Sequence, residues 1–270
     1  MVSSGSRWMS ARGWNTFDFR GGHILILNTN GYVIAVSENA LIQTVLNGLE
    51  AYSILNTNHR AHNYGLETYG LLWGHELLMS DNRTMMSIEM VSIDTTAKTT
   101  KDYCIPNEES LKLKRDLLTS FWPKYDFLGD FHTHPYEVKP EIILSQKLYN
   151  FSSKENNDNK PGDVEHIEND SSFWIAHNYR VGLVLTICFM DKCGTKKDWW
   201  LDDSKSTIQF TLGNYRMWLK GYIAHNLNNT LKVIDDNVCI TCPAILGLTE
   251  HTQFGRYKND NSKLHKTGHI

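Results

Sequence analysis

The feature that most constrains this chain is the motif His132-Thr-His134-Pro135, which closes a short apolar run. The run predicts a buried strand over Phe127–His132, and alternate residues of a strand project to the same face. His132 and His134 can therefore present two imidazoles to one ion, and Pro135 is expected to end the strand. Neutral imidazoles and carboxylates that converge at about 2 Å form a zinc site. The motif therefore predicts a metal centre at the end of a strand.

A second feature is a carboxylate within an apolar, glycine-bearing run. Glu67 lies in the segment Leu66–Gly74, part of a strand predicted over Glu67–Met79. Burying a carboxylate is costly unless it has a partner or a task. Taken alone, Glu67 would be a solvated residue at the start of a strand. Its occurrence 65 residues before His132, in a chain that also carries the histidine pair, favours a functional acid.

The two segments together resemble the JAMM (MPN-plus) zinc metalloprotease family, in particular its prokaryotic JAB-like members. The resemblance lies in Glu-Thr-Tyr-Gly-Leu-Leu-x-Gly from Glu67 and in Phe-His-Thr-His-Pro from Phe131. It extends to the helices predicted before each segment, over Glu38–Tyr52 and Asn107–Phe121, and covers residues 33–190. It implies an α/β (α+β) fold, in which a mixed β-sheet is flanked by helices with cytidine-deaminase-like layering.

The resemblance also implies an activity and a role for individual residues. Such proteins hydrolyse peptide or isopeptide bonds, typically beside the C-terminus of ubiquitin or a ubiquitin-like modifier, so the implied partner is a protein or peptide substrate. His132 and His134 would bind Zn²⁺, and Glu67 would be the general base. In the family the second histidine leads through a short loop to Ser-x-x-Asp, whose aspartate completes the site and whose serine helps to stabilise the oxyanion.

The third ligand is where this chain departs from the family pattern. Ser145 stands at the expected place, 13 residues after His132, but Ser145-Gln-Lys-Leu148 lacks the aspartate. The polar, Asn-rich stretch 136–172 is therefore expected to be a longer, loop-rich insertion that begins with a helix around Ile142–Leu148.

Three later acids compete for the role of third ligand. Asp163 is preferred because Pro161-Gly162 ends the loop before it, and because it is predicted to cap a helix. Asp163 is also preferred because removal of residues 153–160 would leave Ser152-Pro161-Gly162-Asp163, which matches the family's Ser-x-x-Asp pattern. Glu155 and Asp158 remain alternatives for the ligand, and the oxyanion residue is expected to be Ser152 or Ser153.

The rest of the chain carries ordinary patterns. We expect a flexible lead-in over 1–20, a single catalytic domain over 21–255 with a C-terminal extension over 195–255, and a polar tail over 256–270. Further elements are predicted as strands at Ile24–Leu27, Tyr32–Val36, Met85–Ile93, Arg180–Phe189, Thr207–Leu212 and Val238–Leu246, and as a helix at Asn214–Asn226.

Composition excludes several classes of partner. Lys+Arg is 27 against Asp+Glu 30, so a net charge of -3 gives no basic surface for nucleic acid. No apolar run is long enough for a membrane span, and the first twenty residues lack the apolar centre of a signal peptide. The five cysteines do not form a disulfide framework. The expected location is therefore the reducing cytoplasm.

Two other functions remain open. A catalytically silent MPN scaffold that only binds partners is the main alternative, although Glu67, His132 and His134 are all present. A zinc nucleobase deaminase is a distant third, because His166-Ile-Glu168 supplies half of its signature but the cysteine pair Cys239-x-x-Cys242 comes 71 residues after Glu168 without the expected proline. The substrate and the oligomeric state are not defined by the sequence.

Overall fold

The computed structural model describes residues 31–54, 65–153, 162–165, 179–190, 199–201, 205–227 and 230–245. Within these ranges the elements are, in order, β1 (Tyr32–Val36), α1 (Glu38–Ser53), β2 (Tyr69–Leu78), β3 (Thr84–Ile93), β4 (Lys98–Thr99), β5 (Cys104–Ile105), α2 (Glu108–Phe121), β6 (Asp126–Tyr136), α3 (Pro140–Ser145), β7 (Tyr179–Phe189), β8 (Trp199–Trp200), β9 (Thr207–Leu212), β10 (Tyr215–Leu227), β11 (Thr230–Ile234) and β12 (Val238–Thr241).

One large mixed sheet dominates the structure. Its strand order is β12-β1-β3-β2-β6-β7-β10-β9-β8, with β11 paired to β10, and β4 and β5 form a separate two-stranded sheet. β1 runs parallel to both of its neighbours and β6 runs parallel to β7, whereas the other pairs are antiparallel. The predicted mixed α/β class is therefore correct, with few helices among the described residues.

The sheet curls until its two ends meet. The backbone N–H of Ile240 on β12 donates to the carbonyl of Lys205 (2.9 Å), and the indole Nε1 of Trp200 on β8 donates to the carbonyl of Ile240 (2.8 Å). The concave face encloses the main apolar core, which includes Ile34, Phe131, Leu185, Met217 and Ile240.

Helix α1 packs against this core. Ser37 caps it by accepting a hydrogen bond from the N–H of Ala40, and its apolar residues recur at the helical period. Gly48 allows the close approach to β7, because a Cβ there would lie 3.0 Å from Cδ1 of Ile187 and 3.1 Å from Cδ2 of Leu185. The helix holds the strand next to β6 in place.

The predicted helix over Asn214–Asn226 is wrong, because this segment is strand β10. Its residues alternate between two buried faces: Met217 and Leu219 lie in the main core, and Trp218 and Tyr222 lie on the opposite face. A strand that is buried on both faces lacks polar alternation and resembles a buried helix in sequence.

The expectation that Pro135 ends its strand is also wrong. β6 continues to Tyr136, with Pro135 opposite Ile187 in the parallel ladder. The N–H of Thr133 donates towards β2, to Thr68, and the nitrogen of Pro135 faces the same side. β2 begins only at Tyr69, which pairs with His132, so the ladder between β2 and β6 does not reach Pro135 and the missing donor costs no ladder hydrogen bond.

Most other predicted elements agree with the structure within two residues. Tyr32–Val36 and Thr207–Leu212 are correct at both ends, whereas α3 begins two residues before the predicted helix and ends three residues before it does. The strand predicted over Val238–Leu246 is shorter, ending at Thr241. The strand predicted over Ile24–Leu27 lies outside the described residues. No helix in the described ranges is long and apolar enough to cross a membrane.

Candidate metal centre

Three side chains of the predicted site converge at the end of β6. Nε2 of His132 and Nε2 of His134 are 3.1 Å apart. The carboxylate of Asp163 spans both rings, with Oδ1 at 3.2 Å from Nε2 of His132 and Oδ2 at 3.4 Å from Nε2 of His134. Within the described part of the chain, these residues form the one group of three or more potential ligands whose donor atoms all lie within 4.8 Å of one another.

The spacing of these atoms fits a single ion. Two atoms that each lie about 2 Å from a tetrahedral zinc ion are about 3.3 Å apart, close to the 3.1 Å between the two imidazole nitrogens, and each nitrogen has one oxygen of the Asp163 carboxylate at a similar distance. Two imidazoles and a carboxylate are also a donor set that suits Zn²⁺. Three protein ligands leave one coordination position open, as in catalytic rather than structural zinc sites. The residues therefore fit the metal that the sequence predicts.

Both histidines are buried and aimed by the strand. His132 and His134 are 7% and 6% exposed and project from the same face of β6. The residue between them, Thr133, projects to the opposite face, where its methyl group approaches α1 at Gly48. The backbone of β6 therefore sets the separation of the two imidazole rings.

Asp163 is brought to the histidines by a reciprocal contact with Ser152. The N–H of Ser152 donates to Oδ2 of Asp163 (2.6 Å), and Oγ of Ser152 accepts from the N–H of Asp163 (3.0 Å). Gly162 makes this approach possible, because a Cβ there would lie 2.8 Å from the backbone of Ser152 and Ser153. The two segments on either side of the 154–161 stretch are thus joined directly at the site.

Asp163 is the first residue of the helical stretch 163–165 rather than its cap. The capping position belongs to Gly162, whose N–H donates to Oε2 of Glu165 (2.8 Å), in the manner of a capping box. The predicted cap was therefore one residue too late. The carboxylate of Asp163 is consequently available to the histidines instead of the helix.

The electrostatics of the cluster favour a positive charge between Asp163 and the two histidines. Burial opposes protonation of His132, but the Asp163 carboxylate outweighs burial and raises the pKa of the imidazole. Burial likewise raises the pKa of Asp163, yet His132 and His134 hold that pKa well below its usual range. A divalent cation would supply the same positive charge while leaving both imidazoles neutral.

Glu67 lies beside this cluster, just before β2. It is 9% exposed, and its N–H donates to the carbonyl of Thr100 (2.8 Å). Burial raises the pKa of Glu67 to about 7, although His134 and His132, which lie within electrostatic range, oppose the shift. The carboxyl group is therefore poised to exchange a proton near neutral pH.

The remaining predicted residues are less informative. Ser145 lies at the exposed end of α3, where its Oγ donates to the carbonyl of Ile142 (3.1 Å). Glu155 and Asp158 lie outside the described residues, as do His166 and Glu168 of the deaminase signature. None of the four cysteines in the described residues joins the metal cluster: Cys104, Cys188, Cys239 and Cys242.

The sequence did not predict a buried ion pair that lies next to the metal-binding residues. Asp130 and Arg180 are 4% and 5% exposed at their side chains, with Oδ2 and Nη2 2.6 Å apart. Asp130 stands two residues before His132 and so shares its face of β6. That period-two relation was visible in the sequence, but the partner on β7 was not.

Comparisons with known proteins identify no family. No family model matches the chain, and no curated protein is significantly similar to it. Among solved structures it is similar to protein DSY2949 from Desulfitobacterium hafniense, a solution structure, with a TM-score of 0.35 and 10% identity. That match covers 77% of this chain and 92% of the other. A similarity this weak carries no inference about the function.

Proposed function

We propose that this protein is a JAMM-type zinc metallopeptidase that hydrolyses peptide or isopeptide bonds, with a protein or peptide tail, such as a ubiquitin-like C-terminus, as its substrate. The observation that carries the proposal is the group of His132, His134 and Asp163 with the buried Glu67 beside it. A three-ligand cluster with a neighbouring buried carboxylic acid is the minimum needed for metal-assisted hydrolysis. An MPN-like layering of the sheet and helices is part of the same proposal.

His132, His134 and Asp163 would hold the zinc ion. Bound zinc would act as a Lewis acid that lowers the pKa of a coordinated water towards about 7 and polarises the scissile carbonyl. The protein supplies the rest by fixing its ligands: β6 aims both imidazoles, and Ser152 holds Asp163 through two hydrogen bonds.

Glu67 would move the proton. Its carboxylate accepts a proton from the attacking water and later delivers it to the nitrogen of the leaving amine. Burial supports this role, since a pKa of about 7 allows the group both to accept and to release a proton near neutrality. The cation at the ligands would favour the ionised form of Glu67 and so prepare it as a base.

Ser152 would assist at the carbonyl oxygen. Its Oγ accepts a hydrogen bond from the N–H of Asp163, which leaves the hydroxyl proton available as a donor. A donor aimed at the oxygen of the scissile carbonyl stabilises the charge that develops there. This role is additional to the support that Ser152 gives to Asp163.

A silent scaffold is less well supported than an enzyme. Burying the carboxylic acid of Glu67 next to two histidines costs folding free energy, and a protein that only binds partners gains nothing from that cost. The deaminase alternative lacks support as well, since neither Cys239 nor Cys242 lies with the histidines in the described structure.

The experiment that tests the proposal is a hydrolysis assay with a panel of ubiquitin-like fusions and short peptides. The purified protein is assayed as prepared, after treatment with a chelator, and after zinc is restored. Cleavage that disappears with the chelator and returns with zinc supports a metallopeptidase. Stoichiometric zinc without cleavage of any substrate supports the scaffold instead.

A further inference from the structure

Tyr222 on β10 is a buried residue on the same face of the sheet as His132 and His134. The side chain is 1% exposed, and its hydroxyl has no hydrogen-bond partner among the described residues. A buried hydroxyl without a partner is costly, so its retention calls for an explanation. Phenylalanine would fill the same space without that cost.

The direction of the tyrosine ring follows from a glycine on the neighbouring strand. Gly182 on β7 pairs with Tyr222 on one side and with Asp130 on the other. A Cβ on Gly182 would lie 2.0 Å from Cζ of Tyr222 and 2.3 and 2.4 Å from its two Cε atoms. The end of the ring that bears the hydroxyl therefore lies over Gly182. One bond further on, the hydroxyl extends towards β6 and Asp130.

The charged groups that act on the hydroxyl of Tyr222 are part of the metal site or lie next to it. Burial raises the pKa of Tyr222 well above its usual range, and the charges of Asp130 and Asp163 add to the shift while Arg180 opposes it. These charges lie within electrostatic range of the phenol. The same face of β6 carries His132 two residues beyond Asp130. The phenol is therefore within electrostatic range both of Asp163, a proposed ligand, and of the Asp130–Arg180 pair.

The ring also supports the segment that delivers Asp163. Phe151 packs on Tyr222 with ring centroids 4.8 Å apart, and Phe151 directly precedes Ser152. Ser152 in turn holds Asp163 through its two hydrogen bonds. Tyr222 therefore contacts Phe151, the neighbour of the residue that holds Asp163. Its hydroxyl extends towards β6, the strand that carries His132 and His134.

We infer that Tyr222 is a positioning residue of the metal centre, which with the Asp130–Arg180 pair forms a buried polar layer that orients His132 and Asp163. The inference rests on the metal centre of the proposed function and goes beyond it by assigning a residue from the C-terminal part of the chain. Groups that orient metal ligands from behind commonly change metal affinity 10–100-fold when removed.

The test is the zinc affinity of Tyr222→Phe, measured on the full chain by competition with a chromophoric chelator. Tyr215→Phe is the matched control, because Tyr215 lies on the same strand, is equally buried, and pairs its hydroxyl with Ser53 (2.8 Å) on the other face. We expect Tyr222→Phe to bind zinc about tenfold more weakly with an unchanged or higher melting temperature of the metal-free protein. Tyr215→Phe should lower that melting temperature and leave the zinc affinity unchanged.

A second readout is the visible absorption of the cobalt(II)-substituted protein, which reports ligand geometry without any turnover. The bands of Tyr222→Phe should shift relative to those of the wild type, and those of Tyr215→Phe should not. Zinc affinity of Tyr222→Phe within twofold of the wild type would overturn the inference. So would a loss of affinity that merely follows a drop in melting temperature like that of the control. Zinc binding by the wild type without hydrolysis of any substrate would overturn the proposed function alone.

Discussion

Thr133 and Thr68 are joined by two hydrogen bonds that connect the metal ligands to the proposed base. The N–H of Thr133 donates to the carbonyl of Thr68 (3.1 Å), and the N–H of Thr68 donates to Oγ1 of Thr133 (2.9 Å). Thr133 stands between the two histidines, and Thr68 follows Glu67. This contact fixes the position of the Glu67 carboxylate relative to the imidazoles of His132 and His134, which lie 65 and 67 residues further along the chain.

The first prediction follows from this contact. Thr133→Val keeps the shape of the side chain but leaves the buried N–H of Thr68 without its acceptor. The free energy of unfolding should fall by about 1–3 kcal/mol, as measured by urea denaturation. Turnover should fall about tenfold or more, because Glu67 is no longer held in place, while zinc content stays at one per chain. Thr133→Ser, which keeps the hydroxyl, is the control and should retain most of the turnover.

The second prediction concerns the third ligand. Asp163→Ala should weaken zinc binding by more than about 100-fold, since it removes a ligand atom rather than a supporting contact. Glu155→Ala is the control and should bind zinc as the wild type does. The measurement is competition with a chelator of known affinity. Wild-type zinc affinity and activity in Asp163→Ala would move the assignment to one of the acids in the 154–161 stretch.

The third prediction separates the two roles of Ser152. Ser152→Ala removes the acceptor for the N–H of Asp163 but keeps the backbone donor to its carboxylate. Zinc affinity should therefore fall about tenfold. If the hydroxyl also stabilises the carbonyl oxygen, kcat measured at saturating zinc should fall about 100-fold. A normal kcat under those conditions would limit Ser152 to supporting Asp163.

Much of this arrangement follows from local patterns, and the rest does not. The period-two spacing places His132 and His134 on one face of a strand, and the helical periods predict α1 and α2. The prediction of a metal centre also needs the family resemblance of the segments around Glu67 and His132. Asp163 is predicted as the third ligand because removal of residues 153–160 leaves the Ser-x-x-Asp pattern that the family resemblance implies. The structure joins Ser152 and Asp163 directly across that loop, as this interpretation required.

The contacts that sequence reasoning missed all depend on strand pairing. The partners in Thr133–Thr68, Asp130–Arg180 and Gly182–Tyr222 are 40 to 65 residues apart in the chain and meet only in the register of the sheet. That register cannot be obtained from periodicity. The same difficulty made β10 resemble a helix, because a strand that is buried on both faces has no polar alternation.

The fourth prediction concerns the pH dependence of stability. His225 is 1% exposed, lies against the rings of Tyr32 and Tyr179, and faces Lys232 across the β10–β11 pair. Burial lowers the pKa of His225, and Lys232 adds to the shift. The unfolded chain therefore binds a proton that the folded chain does not, once the pH falls below about 6.5. Stability contributed by neutral His225 is lost as the pH falls through that value.

His225→Phe should flatten this dependence. The difference in the free energy of unfolding between variant and wild type should grow in favour of the variant from pH 7 to pH 5, by at most about 1.4 kcal/mol per pH unit. Groups that titrate at the metal centre are common to both proteins and cancel in the difference. Denaturation curves at a series of pH values provide the measurement, and parallel pH profiles would show that His225 does not titrate as described.

The most direct test of the account is the turnover of Glu67→Gln with zinc bound. Glutamine keeps the size and most of the hydrogen-bonding reach of glutamate, but it cannot accept a proton from the attacking water. We predict one zinc ion per chain and a kcat about 100-fold or more below that of the wild type on the same peptide or ubiquitin-like fusion. Near-normal turnover by a zinc-loaded Glu67→Gln protein would contradict the assignment of Glu67 as the base.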